Sequence, residues 1–229
     1  MRIAKEAWPF VLPFAVASIV LAFAAGVFWS LAAAVLGLGV LLFFRDPARS
    51  FDGDADWVIA PADGLVTGVE TVADPAIGEG RFQRVVTFLS AFDVHVQRTP
   101  VDGEVVASSF ASGRKVAAFR ADAGEVNECH TTVIRRASGD LIGVRQIVGL
   151  MARRVVCYLR SGQTVERGQH LGIIKFGSRV DLLVPESYEV VVKPGDRVRN
   201  GATPMARPCS TETCSTETRS TAAAPAGER

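Results

Sequence analysis

Charged side chains are missing from one long part of this chain, and the positive and negative charges of the remainder nearly cancel. Residues 8–44 contain no Asp, Glu, Lys or Arg, while the chain carries 25 basic and 24 acidic side chains and a formal net charge of +1. A charge balance so close to zero provides no positive field for a polyanion. Nucleic-acid binding is therefore excluded as the main function.

Histidine and cysteine are also scarce, with three and four residues. No two cysteines form a Cys-x-x-Cys pair, and Cys129 beside His130 lacks further ligands at zinc spacing, so we predict no metal site. No glycine-rich phosphate loop of the dinucleotide or P-loop type is present. A histidine base has to come from His95, His130 or His170.

The uncharged stretch is long enough for a membrane hairpin. It is too long for one crossing of about 20 residues, and Gly26 divides it into halves of roughly 18 residues. Two helices joined by a tight turn satisfy their backbone groups internally, as a bilayer requires. We predict that residues 1–45 form a membrane-anchoring hairpin that presents the rest of the chain to the lipid and takes no part in chemistry. A spanning hairpin and a re-entrant one, bent at Pro9 and Pro13, both fit the pattern.

Basic residues flank the hairpin on both sides. Arg2 and Lys5 precede it, Arg45 and Arg49 follow it, and none lies at its turn. The positive-inside rule then predicts attachment to the cell membrane, with both flanks and everything downstream on the cytoplasmic face. Residues 1–24 also mimic a secretory signal, but the second apolar run that follows favours retention.

The remainder divides into a folded domain, residues 46–208, and a tail. Short apolar-alternating runs separated by Gly, Pro and Asp indicate a mainly β fold, that is, a β-rich α+β domain of twisted antiparallel sheets. The motif PADGLV at residues 61–66 returns as PVDGEV at residues 100–105. These turns resemble those of lipoyl-like barrel sandwiches, so we expect such an element. Residues 209–229 repeat CSTET and are polar, which predicts a disordered, low-complexity tail.

The most informative residues are 175–181, KFGSRVD, because the Gly177-Ser178 step lies between two apolar runs typical of strands. A Gly-Ser pair alone is usually a turn. Together with QIVG at 146–149, ARRVVCY at 152–158 and VERGQ at 165–169, however, it closely resembles the short-form phosphatidylserine decarboxylases. The resemblance extends from about residue 61 to about residue 206.

The resemblance implies a self-processing proenzyme. Members of that family cut themselves at the Gly-Ser bond and convert the serine into a pyruvoyl group. Here Ser178 would attack the Gly177 carbonyl, and the chain would become a β subunit of residues 1–177 and an α subunit of residues 178–229 that stay associated as a heterodimer, with any higher oligomer left open. The pyruvoyl group would form a Schiff base with phosphatidylserine in the membrane and release CO2 and phosphatidylethanolamine, because such a decarboxylation needs an electron sink.

The resemblance also assigns two helper residues. A serine hydroxyl needs a base, and the base needs an orienting group. His95 lies in the segment that carries the family's essential histidine, and Asp63 matches the aspartate of its Pro-x-Asp-Gly motif. The resemblance thus implies that Asp63 orients His95 and that His95 deprotonates Ser178. His130 departs from the family pattern, and we expect His170 to be a solvated residue at a strand end.

Two other functions compete on the residues alone. An Asp-Gly step is most often a turn and a lone strand histidine is most often structural, which would suit a non-enzymatic, membrane-tethered barrel module that binds a protein partner. A hydrolase could also use Asp63, His95 and Ser178, but the Gly-x-Ser-x-Gly elbow is missing. Basic pairs at residues 114–115, 135–136 and 153–154 are candidate lipid-phosphate ligands, although each pair is more typical of a solvated face.

Overall fold

The computed structural model describes residues 2–114, 116, 126–149, 154–175 and 178–209, and the structural statements below concern these residues. Its described helices are a 3-10 turn at Lys5–Ala7, α1 at Trp8–Ala24 and α2 at Val27–Phe43. The strands are β1 Arg2–Ile3, β2 Arg45–Asp46, β3 Val58–Ile59, β4 Gly64–Ala73, β5 Arg81–Leu89, β6 Val96–Arg98, β7 Gly103–Ala111, β8 Cys129–Arg135, β9 Leu141–Val148, β10 Arg154–Cys157, β11 Thr164–Val165, β12 His170–Lys175, β13 Ser178–Pro185, β14 Tyr188–Val190, β15 Arg197–Val198 and β16 Pro204–Pro208.

Helices α1 and α2 form the predicted hairpin. Gly26 makes the turn with a φ of 91°, a left-handed value that suits glycine. The Ser18 hydroxyl donates to the Ser30 carbonyl over 3.0 Å and so ties the two arms together. By length and composition the 20-residue segment Lys5–Ala24 is able to cross a membrane, while Val27–Phe43, with 17 residues, is shorter.

The two ends of the hairpin are fastened to each other. Strand β1 pairs with β2, so that Arg2 lies opposite Asp46 and Ile3 opposite Arg45. The amide of Ala4 also donates to the carbonyl of Phe44 over 2.9 Å. Both basic flanks therefore leave the hairpin on the same side, as the charge pattern requires.

The main body is an eight-stranded sheet in the order β11-β7-β8-β9-β13-β5-β4-β15, and its neighbouring strands run antiparallel. This curled antiparallel sheet behind an apolar N-terminal helix confirms the mainly β fold class. Strand β13 lies at its centre, and its first seven residues are buried, as the apolar run predicts. Ser178 is the first of them and lies opposite Leu89 of β5 and Val148 of β9.

The sequence echo is a structural repeat. Gly64 begins β4 and Gly103 begins β7, with φ values of 153° and 156°. A Cβ at Gly64 would lie 2.2 Å from the Phe88 carbonyl oxygen, and one at Gly103 would lie 2.2 Å from that of Arg135. Each glycine is thus required because a neighbouring strand passes too close for any side chain. The strand order is correspondingly symmetric about the β9–β13 pair.

The aspartate before each of these glycines makes the same turn contact. Asp63 Oδ1 accepts the amide of Asn200 over 2.8 Å, and Asp102 Oδ1 accepts the amide of Arg167 over 2.7 Å. The carboxylate of Asp63 thus stabilises a turn, as the carboxylate of Asp102 does in the other copy of the repeat.

A second apolar cluster joins the hairpin to the body of the protein. It lies over the small sheet β10-β12-β6 and is separate from the main core. Its buried members are Ala7, Phe43, Phe44, Val94, Val96 and Ile173. The end of α2, which belongs to the predicted anchor of residues 1–45, therefore packs against the folded domain. Gly177 and residues 210–229 of the predicted tail lie outside the described residues.

Candidate active site

Ser178 is fully buried at the start of the central strand. Its Oγ has no hydrogen-bond partner among the described residues. Leaving a hydroxyl buried and unpaired costs about 1–3 kcal/mol, so such groups are rare unless they have a function. Strand β12 ends at Lys175, two residues before the predicted cleavage bond. That bond therefore belongs to the short link between two buried strands.

His95 is fully buried and held by one ring nitrogen. Its Nδ1 lies 2.9 Å from the carbonyl oxygen of Asp93. Since a carbonyl only accepts, Nδ1 carries the proton and Nε2 presents a lone pair. Within the described residues Nε2 has no partner. This is the tautomer that a general base requires.

The pKa of His95 favours the same form. Burial, the largest cause, lowers this pKa from 6.5 to about 4, against the opposing hydrogen bond and charge of Asp93. The imidazole is therefore neutral at pH 7 and able to take a proton.

An aromatic ring from the hairpin covers the imidazole. The ring centroids of Phe43 and His95 are 4.0 Å apart, with 33° between their planes. Phe43 is the last residue of α2, and 8% of it is exposed. The final turn of the hairpin, for which the sequence predicts only presentation of the domain, therefore also packs against the candidate histidine base.

The fold brings His95 and Ser178 to one region of the protein. His95 precedes β6, which pairs with β12, and its carbonyl accepts the amide of Ile174 over 3.4 Å. Ser178 follows β12 by a short link and pairs with the end of β5. No hydrogen bond joins the two side chains in the described part of the chain, although each carries a buried, unpaired atom.

Two buried glutamines support the histidine segment, and the sequence did not reveal them. Gln97 Nε2 donates to the His95 carbonyl over 2.7 Å, and Gln146 Nε2 donates to Gln97 Oε1 over 2.9 Å. Both glutamines are fully buried. The sequence signal for this pair is a glutamine between apolar residues in each of two predicted strands. Buried side-chain amides are hydrogen-bonded in folded proteins, so two such glutamines are candidates for a contact between the strands.

Asp63 lies in an ion pair and does not contact the imidazole. Arg49 holds both carboxylate oxygens, with Nη2 donating to Oδ2 over 2.8 Å and Nη1 donating to Oδ1. The charge of Asp63 still acts on His95, where it is one of the smaller influences that raise the pKa. The hydrogen bond that fixes the ring is the one that His95 Nδ1 donates to the Asp93 carbonyl. Arg49, in the linker after the hairpin, was not predicted as a site residue.

The rings of the other two histidines each have a hydrogen-bond partner. His130 Nε2 lies 3.3 Å from the Ser108 hydroxyl on β7. His170 Nε2 lies 2.8 Å from Asp46 Oδ2, and Arg98 bonds the other oxygen over 2.6 Å. His170 is at a strand end, as expected, but it binds the base of the hairpin and is not simply solvated.

A buried ion pair lies next to Ser178 on the same strand. Arg179 Nε and Nη2 donate to the two oxygens of Asp181 over 2.6 and 2.8 Å, and the two residues are 4% and 0% exposed. Alternation along β13 directs this pair to the face opposite Ser178. An arginine and an aspartate two residues apart in an apolar run are the signal for such a pair, and their two hydrogen bonds make a register shift of β13 costly.

Proteins similar to this chain along most of its length are decarboxylase proenzymes. The family model for phosphatidylserine decarboxylase matches residues 36–206. The phosphatidylserine decarboxylase proenzyme of Symbiobacterium thermophilum is 41% identical over 207 residues, 90% of this chain and 95% of its relative. Those of Ralstonia pickettii and Paraburkholderia phymatum are each 39% identical, over 89% of this chain and 94% and 96% of their own lengths.

The chain therefore belongs to the phosphatidylserine decarboxylase family. It is an enzyme, a decarboxylase made as a proenzyme. This sets aside the alternative of a non-enzymatic barrel module. The matched region begins within α2, earlier than residue 61, and so includes Phe43.

Proposed function

We propose that this protein decarboxylates phosphatidylserine to phosphatidylethanolamine and CO2, with a pyruvoyl group made from its own Ser178. The observation that carries the proposal is the buried Oγ of Ser178, which has no hydrogen-bond partner among the described residues, in a chain of this family. The site fits such a group because a carbonyl at position 178 would be enclosed between β5 and β9. Once formed, it would supply the electron sink that loss of CO2 from an amino acid headgroup needs.

Self-cleavage begins with the neutral histidine. His95 Nε2 takes the proton of Ser178 Oγ, and Oγ attacks the carbonyl carbon of Gly177. The C–N bond between residues 177 and 178 breaks, its nitrogen gains a proton, and an ester replaces the amide. Elimination releases the carboxylate of Gly177 and leaves dehydroalanine at position 178. Tautomerisation and addition of one water then yield the ketone and ammonia.

Asp63 serves this reaction at a distance. His95 becomes an imidazolium when it accepts the proton, and the negative charge of Asp63 favours that form. Its ion pair with Arg49 and its bond to the Asn200 amide hold the surrounding turn. In this proposal Asp63 is a positioning residue, and Ser178 and His95 carry the reaction.

The substrate is a membrane lipid, and the hairpin places the site beside it. The side chains of Phe23 and Phe28 at the hairpin turn are 90% and 74% exposed, which suits insertion into lipid. The basic flanks lie together at the other end, so we assign the folded domain to the cytoplasmic face of the cell membrane.

Intact-mass measurement of the purified full chain tests the proposal. The wild-type protein should give two polypeptides, residues 1–177 and a short chain that begins with the converted residue 178. Ser178→Ala should give one uncut, inactive chain, while Ser138→Ala, at an exposed turn, should be cut normally. Cyanoborohydride with phosphatidylserine should inactivate the enzyme and add mass to the short chain alone. Wild-type protein found only at full length, with serine retained at 178, would overturn the proposal.

A further inference from the structure

A polar hollow of about 560 Å³ opens beside the proposed site. This volume is in the usual range for a small-ligand pocket. The lining residues are Asp63, Asp93, Arg197, Val198, Arg199 and Thr203. Two of them connect it to the histidine, because the Asp93 carbonyl accepts its Nδ1 hydrogen and Asp63 acts on its charge.

The charges at the rim favour an anion. Arg197 is 70% exposed and lies 3.2 Å from Asp93 Oδ1, so it keeps donors directed to solvent. Within the described residues the guanidinium of Arg199 has no hydrogen bond or ion pair, because the bonds of this residue are made by its backbone amide and carbonyl. The negative charge of Asp63 is offset in the hollow by its ion pair with Arg49. Two guanidiniums with unused donors therefore face one compensating carboxylate.

The burial pattern places both arginines on the outer surface. Val198 between them is 3% exposed and belongs to the main core. Arg197 and Arg199 are exposed, whereas Asn200, which follows them, is 1% exposed, so both arginine side chains extend outward. Paired guanidiniums at this spacing suit phosphate oxygens, which accept two parallel hydrogen bonds.

The hollow also lies next to the base of the membrane hairpin. Arg45 follows α2 directly, and its Nη2 donates to the Phe92 carbonyl over 2.6 Å. Phe92 is 87% exposed and precedes Asp93 at the rim. A lipid in the leaflet that holds the hairpin would therefore meet this loop first. Of the basic pairs considered from sequence, Arg136 bonds the Tyr188 hydroxyl elsewhere, and Lys115 and Arg153 lie outside the described residues.

We propose that Arg197 and Arg199 bind the phosphodiester of a glycerophospholipid headgroup in this hollow. The inference rests on the proposed function and names the substrate-binding part of that site. A serine headgroup has two anionic parts, and its carboxylate has to lie at the reacting position to be lost. The phosphodiester joins the headgroup to the glycerol, so it remains nearer the membrane, and Arg197 contacts Asp93 in the loop beside the base of the hairpin.

Kinetics of the full-length enzyme in mixed micelles of phosphatidylserine test this assignment. Arg197→Gln/Arg199→Gln should raise KM, as surface mole fraction of lipid, at least about tenfold, which corresponds to about 1.4 kcal/mol. Mass spectrometry should show that this variant still cuts itself. Arg81→Gln/Arg207→Gln is the matched control, because it removes two exposed, ion-paired arginines elsewhere and should leave KM unchanged. A double variant with the KM of the wild type would overturn the proposal.

A binding experiment separates this proposal from the proposed function. The uncut Ser178→Ala chain should bind soluble glycerophosphoserine in calorimetry, and the added Arg197→Gln/Arg199→Gln changes should weaken that binding at least about tenfold. Equal affinity for inorganic phosphate would overturn the headgroup assignment in favour of a free-phosphate site. A variant that lost only its affinity for phosphatidylglycerol vesicles would overturn it in favour of general attraction to an anionic surface. Failure of wild-type turnover would count against the decarboxylase alone, because the calorimetry does not depend on it.

Discussion

At the scale of single residues, the protonation of His95 controls the proposed cleavage. Its ring is neutral because burial lowers its pKa to about 4, and its Nε2 is unpaired in the described structure. The sequence supplied the identity of this residue through the family motif. It did not supply the tautomer, which depends on the carbonyl of Asp93.

The pH dependence of self-cleavage follows from this pKa. Freshly translated wild-type protein should cut itself at a nearly constant rate between pH 6 and 8 and lose rate as the pH falls towards 4, because protonation removes the base. The free energy of unfolding should decrease over the same range, since below pH 6.5 the unfolded chain binds a proton at this histidine and the folded chain does not. Mass spectrometry of timed samples measures the rate. A rate that already halves near pH 6.5 would contradict the lowered pKa.

Substitution of His95 itself should stop the reaction. We expect His95→Ala to leave one uncut chain, because in the proposed mechanism His95 is the base that deprotonates Ser178. His130→Ala and His170→Ala are the matched controls and should be cut, since their rings bond Ser108 and Asp46. A His95→Ala chain cut at the wild-type rate would remove His95 from the mechanism and leave the role of Ser178 standing.

Two roles of Asp63 can be distinguished by experiment: it acts through its ion pair with Arg49, or it orients the imidazole of His95 directly. If Asp63 acts through its charge, ion pair and turn, Asp63→Asn and Arg49→Gln should both slow cleavage, because each breaks the same contact. Asp63→Asn should be the slower of the two, because it also removes the charge that favours the imidazolium. Both should also destabilise the fold, by up to about 3–5 kcal/mol for one broken partner of a buried pair. Cleavage rates and urea unfolding measure the two effects. Slow cleavage in Asp63→Asn with a normal rate in Arg49→Gln would favour direct orientation of the imidazole.

At the scale of elements, the end of α2 is shared between the anchor and the site. Phe43 packs on His95, and Phe44 is fully buried in the same cluster. An apolar run in the sequence cannot distinguish its lipid-facing residues from those that pack on protein, because both require the same side chains. The helical hairpin is present, and its last residue also contacts the candidate base His95, a contact that the prediction of a purely presenting anchor does not include.

Phe43→Ala tests this shared role. It should slow self-cleavage and move the pH midpoint up towards 6.5, because water would then reach the imidazole, which also senses Asp93, Arg45 and Asp63. Stability should fall by about 3–5 kcal/mol, as for other buried phenylalanines. Phe43→Leu keeps most of the volume and should restore most of the stability.

Phe28→Ala is the control for that experiment, because it removes a phenylalanine that is 74% exposed near the hairpin turn. It should affect neither the cleavage rate nor its pH midpoint. An unchanged midpoint in Phe43→Ala would show that the ring contributes packing alone.

At the scale of the whole molecule, the proposed cut falls at the start of β13, the central strand of the main sheet. Strand β13 would belong to the short subunit, whereas its neighbours β5 and β9 would belong to the long one. The two subunits should therefore stay together in native buffer, because separating them would expose β13 and the core around it.

The unfolding of the cut protein should depend on concentration. Its urea midpoint should rise with protein concentration, since unfolding releases two chains, whereas that of uncut Ser178→Ala should not change. Circular dichroism over a hundredfold concentration range measures both. A midpoint that is independent of concentration in the cut protein would indicate that one subunit unfolds without releasing the other.

The sequence by itself determined the class of fold, the apolar hairpin, the Gly177-Ser178 step and the family. Each of these is written in neighbouring residues, as an alternation, an uncharged run or a short motif. The tertiary structure decided the contacts of Phe43 with His95, of Arg49 with Asp63, and of Gln146 with Gln97. These pairs are far apart along the chain, so strand register and the packing of α2 fix them. Both are set by the summed burial of many side chains, which no local pattern records.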